Sequence, residues 1–425
     1  MITRYIIIGV TIAITVLGIS AYYFSNINLN QDSLIKDYSS EPETIYTNSS
    51  ATIVATNTYN SIKSSNIIQN ETQLIVPEIT GADIVSHMVL YDFEFLQDTK
   101  SLTRRQYSNN INMEVWKDSE SSSTPKAITI SSDGNVWYTD DVNHRIGRLQ
   151  PLSKEITEWS LPSTSSYPRG ISAVSDRSIW FVEVGANNIS NLNPFTNEVT
   201  EWSIPTSNSH PIDVVIDLEG KVFFTEDNGN KISRLDPLTN ELTGWSVPTK
   251  NPYTKGYPYN PSSRPFAIAL DNDGNVWFTE IAGNKIGRLN PITNEILEWL
   301  FPIKLGFPMS IAIDPSGNAF FTTDADNKIV RLNPLNGEMT EWDLPTNQAY
   351  PSGITTDNFG NVWFIESATS KIARLMPSSN EITEWSIPAS SFARAITTDS
   401  DGNIWFIKSL GKSFAKLNIN SKDVP

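Results

Sequence analysis

Charged residues occur at two fixed positions of a repeating unit in this sequence. One position closes a short apolar run, as in Trp277-Phe278-Thr279-Glu280, and the other follows a proline at the start of the preceding run. Carboxylates can act as general acids or bases, whereas lysine and arginine bind anions through charge-assisted hydrogen bonds. The first series is Asp140, Glu183, Glu226, Glu280, Thr323, Glu366 and Lys408; the second is Lys126, Arg169, Ile212, Phe266, Met309, Ser352 and Arg394.

Three histidines are present, and only His210 lies next to these two series, directly before Pro211. Histidine is a common general base. The candidate catalytic residues are therefore His210, Glu226, Glu280 and Glu366, and an enzyme using them would require a divalent cation, Mg²⁺ or Ca²⁺. No metal site is predicted, because no cluster has zinc-ligand spacing. The Asp-x-Asp-Gly-Asn segments at 271–275 and 399–403 lack the downstream glutamate of a calcium loop.

The spacing of the tryptophans indicates which elements position these residues. Seven tryptophans recur at intervals of 43, 43, 43, 54, 43 and 43 residues, and a second series of five tryptophans and two phenylalanines runs in phase with them. Repeats of this length that are rich in short strands are typical of propeller blades. The sequence thus predicts an all-β, seven-bladed propeller. The first tryptophan series is Trp116, Trp159, Trp202, Trp245, Trp299, Trp342 and Trp385.

The fourth unit predicts four antiparallel strands, at 266–270, 276–280, 286–289 and 295–299, because β-branched and aromatic runs alternate with Asp-Gly and Gly-Asn turns. The last unit lacks a fourth strand before the chain ends at Pro425. Residues 113–116, which precede the first complete unit, are in phase with the missing strand. We therefore expect residues 113–116 to pair with the last blade and close the ring of a propeller over 113–425.

Strand direction brings the two charged series to the same face of the propeller. In an antiparallel blade the first strand starts where the second ends, so both series are expected at one mouth of the central channel, the usual ligand site. A basic sector would face an acidic sector across the mouth. The basic sector comprises Lys126, Arg169, Arg394 and Lys408, and the acidic sector comprises Glu226, Glu280 and Glu366. Alternatively, Arg169 pairs with Glu183 and Lys126 with Asp140, and because the glutamate recurs in most units, a structural role at the hairpin is favoured for that series. The candidate ligand-binding residues are Lys126, Arg169, Arg394, Lys408, Glu183 and Tyr257, the last on a Tyr- and Pro-rich insertion at 250–264.

The N-terminal part predicts a membrane anchor. Residues 5–24 form an uninterrupted run of uncharged, largely apolar residues, long enough to span a bilayer as a helix. Residues 1–4 would be cytoplasmic and 25–81, rich in Ser, Thr and Asn, a tether; 82–112 would be an apolar segment packed on the propeller. The propeller would then be extracytoplasmic on a single-pass membrane protein, or secreted if the apolar run is a cleaved signal peptide.

The formal net charge of −16 argues against nucleic acid as a partner. Cysteine is absent from the sequence, which excludes disulfides and thiol chemistry. We expect a monomeric propeller.

The repeated unit at 275–280 and 283–289 resembles that of the virginiamycin B (streptogramin B) lyases, and the resemblance covers residues 113–420. It implies a seven-bladed propeller that opens a cyclic depsipeptide antibiotic by magnesium-assisted elimination. In that family a tyrosine opens the first blade, histidines open the last two, and a glutamate of the seventh completes the site. The matching positions here are Lys126, Ser352 and Arg394, with Lys408 or Ser409 in place of the glutamate.

Three functions follow from these observations. The favoured one is a propeller that binds a small anionic or peptide-like ligand, or a protein partner, at the channel mouth, without the family's lyase residues. The alternative is a diverged metal-assisted lyase or hydrolase with its site at the same mouth. A third is a passive structural component of the cell envelope.

Overall fold

The computed structural model describes residues 44–46, 52–54, 105–106, 113–117, 124–249, 262–301, 306–387, 393–408 and 413–418. The expected anchor at 5–24, most of the tether and of the segment 82–112, and Tyr257 lie outside these ranges. The chain divides into two units, Met1–Asp98 and Thr99–Pro425. In the first unit, β1 (Thr44–Tyr46) and β2 (Thr52–Val54) pair as an antiparallel hairpin.

The second unit is a seven-bladed propeller of four-stranded antiparallel blades, as predicted. Two strands precede the first complete blade, β3 (Arg105–Gln106) and β4 (Met113–Lys117). Blade one is β5 (Pro125–Ile130), β6 (Val136–Asp140), β7 (Arg145–Gln150) and β8 (Glu155–Ser160); blade two is β9 (Pro168–Ser175), β10 (Ser178–Glu183), β11 (Asn188–Asn193) and β12 (Glu198–Ser203); blade three is β13 (Pro211–Ile216), β14 (Val222–Glu226), β15 (Lys231–Asp236) and β16 (Glu241–Ser246).

The remaining blades repeat this order. Blade four is β17 (Pro265–Leu270), β18 (Val276–Glu280), β19 (Lys285–Asn290) and β20 (Glu295–Leu300); blade five is β21 (Pro308–Ile313), β22 (Ala319–Thr323), β23 (Lys328–Leu332) and β24 (Met339–Asp343); blade six is β25 (Pro351–Thr356), β26 (Val362–Glu366), β27 (Lys371–Met376) and β28 (Glu381–Ser386); blade seven is β29 (Ala393–Thr398), β30 (Ile404–Lys408) and β31 (Ser413–Leu417), completed by β4.

The expected closure of the ring is confirmed. β4 pairs antiparallel with β31, and Trp116 lies opposite Phe414. The Trp116 ring stacks on Trp405 with centroids 5.0 Å apart. β4, which precedes blade one in the chain, thus covers the edge that the last three strands would otherwise expose. A second early strand, β3, pairs in parallel with the outer strand β28 of blade six.

Stacked aromatic rings fill the space between the blades. In blade four, Trp277 on the second strand stacks on Trp299 on the fourth with centroids 5.4 Å apart. The Arg288 guanidinium lies over both rings, 5.4 and 5.6 Å from their centroids. Trp277 also belongs to a core that contains Phe321 of blade five. The two tryptophan series are therefore structural: they bury aromatic area and make cation–π contacts, in agreement with the repeat.

Among the described residues there is no helix, and hence none that could cross a membrane.

Candidate functional site

A β-bulge begins the inner strand of every blade. In blade four, Pro265 pairs with Glu280, whereas the next paired residue on the inner strand, Ile268, faces Phe278. Phe266 and Ala267 therefore lie opposite no partner of their own. Bulges bend an edge strand and redirect its side chains, and they are common beside binding sites. The bulge begins at the second series of the repeat, whose residue follows a proline in blades one to six and Ala393 in blade seven.

Threonine hydroxyls hold these bulges in place between neighbouring blades. Thr225 on β14 accepts a hydrogen bond from the Asp213 amide of its own blade at 3.1 Å and donates to the Phe266 carbonyl of blade four at 2.9 Å. Thr322 makes the same two bonds, from the Ser310 amide at 3.2 Å and to the Ser352 carbonyl at 2.9 Å. Each such threonine fixes the backbone of two bulges, so the residues at the mouth are supported by rigid strands.

The first series of the repeat is buried rather than exposed at the mouth. β18 is buried along its whole length, because both faces of this central strand are covered by neighbouring blades, and its last residue, Glu280, is fully buried too. Glu183 and Glu226 accept hydrogen bonds from Ser190 and Ser233 within their own blades. The acidic sector expected at the open mouth is therefore enclosed. The buried members are Asp140, Glu183, Glu226, Glu280, Thr323, Glu366 and Lys408.

Glu280 lies beside a second carboxylate, Glu298, and the neighbouring Lys285 forms its salt bridge with Glu298. Lys285 Nζ binds Glu298 Oε2 at 2.8 Å, and Thr249 of blade three donates to the same carboxylate at 2.7 Å. Neither Glu280 oxygen has a hydrogen-bond partner of good geometry among the described residues, although the nearby Ser263 hydroxyl partly favours the charged form. Burial raises the pKa of Glu280 to about 8, and the nearby Glu298 carboxylate contributes to the shift. Glu280 is therefore a neutral acid at pH 7.

Blade six repeats this network. Lys371 Nζ binds Glu384 Oε2 at 2.6 Å, and Thr346 of blade five donates to Glu384 at 2.8 Å. Burial, with the adjacent Glu384, raises the pKa of Glu366 to about 8. These buried acids are part of the blade interfaces.

The exposed charges of the mouth come from the bulges of blades seven, one and two. The register places Arg394, Lys126 and Arg169 at equivalent positions on three neighbouring inner strands. Lys126 pairs with Asp141 at 3.3 Å, and not with Asp140, which instead pairs with Arg145 at 3.2 Å.

Arg169 and Arg394, on either side of blade one, are close enough to interact electrostatically, and neither forms a salt bridge with a described residue. Desolvation, together with the Arg169 charge, lowers the pKa of Arg394 from its ordinary value, and Asp324 partly offsets this effect. Arg169 is also close enough to influence the carboxyl of Asp227 electrostatically. The proximity of two guanidinium groups is unfavourable by itself and becomes favourable when an anion lies between them.

A second charged group lies at the mouth of blade three. The buried Asp227 carboxylate accepts two hydrogen bonds from Arg264, both at 2.8 Å. It also lies 3.1 Å from Nδ1 of His210. His210 is thus held by a carboxylate at one ring nitrogen, which is the arrangement of an oriented histidine base.

Residues with a left-handed backbone precede the proline in five successive blades. Their φ angles are 48° for Tyr167, 55° for His210, 60° for Arg264, 45° for Phe307 and 51° for Tyr350. This conformation is unusual for residues other than glycine and is disfavoured before proline. Their carbonyls accept hydrogen bonds from the residue after the second strand, for example Asp227 N to His210 O at 3.1 Å. Such local strain is concentrated at functional sites.

The remaining bulge positions are apolar. Phe266 and Met309 are half-buried and Ile212 is buried. Phe307, which precedes Pro308, adds a further half-buried ring between blades four and five. The mouth therefore has a basic arc, formed by Arg394, Lys126 and Arg169, and an apolar arc, formed by Ile212, Phe266, Phe307 and Met309.

Sequence reasoning identified some of this site and missed other parts. It found the basic arc and His210, but not Asp227, Arg264 or Asp324. The signal was present: Asp227 and Asp324 directly follow Glu226 and Thr323 of the first series, and Arg264 directly precedes Pro265, the position that His210 occupies in blade three. A further cavity of about 320 Å³ lies at the opposite end of the inner strands, between turns of blades four to six, and Leu270, Ile313, Asp314 and Asp357 line it.

A seven-bladed propeller with a bulge-lined channel mouth defines the class of this protein. The model of the Virginiamycin B lyase family matches residues 99–259 and 251–422. The chain therefore belongs to the virginiamycin B lyase family.

Solved structures of family members agree with this assignment. A streptogramin B lyase is 31% identical, with 73% of this chain and 98% of that chain covered and a TM-score of 0.66. A catalytically inactive virginiamycin B lyase from Staphylococcus aureus with quinupristin is 29% identical, with 73% and 100% covered and the same TM-score of 0.66. The extracellular domain of a one-component system from B. thetaiotaomicron, at 13% identity and a TM-score of 0.56, shares the fold. A search of curated proteins returned no match.

Proposed function

We propose that this protein is a binding propeller of the virginiamycin B lyase family, that it holds an anionic ligand at the channel mouth, and that it lacks the family's lyase reaction. The observation that carries this proposal is the pair of arginines, Arg169 and Arg394, which share the mouth without a salt bridge to a described residue. The balance of charge supports it. Lys126 is paired with Asp141 and Arg264 with Asp227, whereas two arginines remain beside two carboxyl groups, Asp324 and Asp213, whose pKa burial raises to about 6.

The residues at the positions expected for catalysis support the loss of lyase activity. Elimination needs a base to take a proton and a carboxylate to hold the metal. The corresponding positions carry Ser352, Arg394 and the buried Lys408. In the described ranges, no three His, Asp or Glu side chains are grouped to hold a metal ion. A hydroxyl and two cations do not fit a magnesium site.

Incubation with quinupristin tests this proposal. The protein, with Mg²⁺ present, should leave the antibiotic intact over a time in which the Staphylococcus aureus lyase opens it completely, as followed by mass spectrometry. A ring-opened product, formed in proportion to protein concentration, would overturn the loss of lyase activity.

The alternative, a diverged enzyme, has one observation in its favour, the His210–Asp227 contact at 3.1 Å. A His210→Gln variant separates the two cases if any product appears. An enzyme that uses His210 as its base would lose most of its activity, by about 10²-fold or more, whereas a trace contaminant would be unaffected.

The position of the propeller in the cell is also a proposal. The apolar run at 5–24 supports a single membrane anchor with the propeller outside the cytoplasm. Protease digestion of intact cells tests it, since an extracytoplasmic propeller would be accessible and a cytoplasmic one protected.

A further inference from the structure

The two sides of the mouth differ in chemistry, and this difference restricts the kind of ligand that can bind there. The basic arc lies on blades seven, one and two, and the apolar arc lies on blades three, four and five, across the channel. Except for Phe307, which lies two residues before Met309, the residues of both arcs occupy the same structural position, the bulge of the inner strand, so the arcs lie at similar depth. Blade six contributes Ser352, a small polar residue whose hydroxyl contacts Ser367 at 2.6 Å.

We infer that the ligand is an amphipathic anion, with one carboxylate-like group and an apolar body. This inference rests on the proposed function, the binding of an anion at the channel mouth. The charged group lies between Arg169 and Arg394. The apolar body extends across the channel and covers Phe266, Phe307 and Met309.

The basic arc fits a single anionic group. A carboxylate has two oxygens and can accept from two guanidinium groups at once, which removes the repulsion between them. Asp324 lies near Arg394, and the carboxyl of Asp213 lies against Gly170 beside Arg169, so the excess positive charge on this side is small. A compact polyanion would gain from Arg169 but would be repelled by Asp324 and by the enclosed carboxylate of Asp227.

The apolar arc fits the body of the same ligand. Phe266 packs on the core between blades four and five with part of its ring still accessible. Met309 is half-exposed beside it, and a methionine adapts its shape to different apolar groups. Exposed apolar side chains at adjacent structural positions that face a charged arc are typical of ligand pockets.

Binding of octanoate to the full-length protein, measured by calorimetry, tests the inference. Octanoate should bind at least tenfold more tightly than acetate, which lacks the apolar body, and than octan-1-ol, which lacks the charge.

Variants locate the two halves of the ligand. Arg169→Gln combined with Arg394→Gln should remove octanoate binding. Met309→Ser, which introduces the residue of blade six at this position, should weaken octanoate about tenfold and leave acetate unchanged. Leu152→Ser is the matched control, because Leu152 is fully exposed on the hairpin between β7 and β8, and it should have no effect. All variants are measured under the same conditions, so that non-specific binding of octanoate to the protein surface contributes equally to each measurement.

The outcomes separate this inference from the proposed function. Equal affinity for acetate and octanoate, both lost in the arginine variant, would overturn the amphipathic ligand and leave anion binding at the mouth intact. Octanoate binding that survives in the arginine variant would overturn both. No binding of any carboxylate would also overturn both, provided that the melting temperature and circular dichroism of the protein show it to be folded.

Discussion

At the scale of single residues, the charged side chains of the mouth and those inside the blades occupy different structural positions. Arg169 and Arg394 lie on bulges of edge strands, so their side chains leave the sheet. Glu280 and Glu366 end central strands that are covered on both faces. The sequence shows both groups as charged residues at strand ends. It did not show that the glutamates are buried, because burial depends on the neighbouring blades.

The buried acids predict a stability that falls as pH rises. Burial raises the pKa of Glu280 and of Glu366 to about 8, above the ordinary value of 4.5. Between those values the folded protein keeps two protons that the unfolded chain loses. The free energy of unfolding should therefore decrease from pH 6 to pH 8, by about 1 kcal/mol per pH unit for each group, and level off above pH 8.

Urea denaturation across this pH range measures the effect. Glu280→Gln keeps the neutral shape and should remove about half of the slope, whereas Glu295→Gln, an exposed residue of the same blade, should leave it unchanged. A slope that is the same in Glu280→Gln and in the unmodified protein would show that Glu280 is ionised in the folded state.

At the scale of the strands, the sequence predicted most of what is observed. The four strands expected in blade four agree with β17 to β20 to within one residue at each end. The turn residues and the tryptophan period were sufficient, because each blade repeats the same local pattern. The bulges were not predicted, because one extra residue at a strand end leaves the alternation of the rest of the strand unchanged.

Thr225 provides a test of how these bulges are held. Thr225→Val keeps the shape but removes the bonds to Asp213 and Phe266, and it should lower the free energy of unfolding by about 1–3 kcal/mol. Valine fits at this position, since blade two carries Val182 there. Thr200→Val, on the exposed face of β12, is the control and should change stability little. Equal stability of the two variants in urea would exclude Thr225 as a support of the bulges.

At the scale of the whole molecule, ring closure determines which residues meet. β4 completes blade seven, and this brings Arg394 of the last blade beside Lys126 of the first. The period of the tryptophans and the incomplete last unit were sufficient to predict both the count of seven and the closing strand. The identity of the ligand could not be predicted in the same way, because it depends on side chains that break the repeat: Arg169, Phe266, Met309 and Arg394.

The central claim is that the ligand of this propeller lies at the bulge-lined mouth, and a crystal soaked with 8-bromooctanoate tests it most directly. We expect carboxylate density between Arg169 and Arg394, with the anomalous peak of the bromine beside Phe266 or Met309. A bromine peak at the opposite end of the channel, in the cavity lined by Leu270 and Ile313, or no peak at the mouth at saturating concentration, would contradict it.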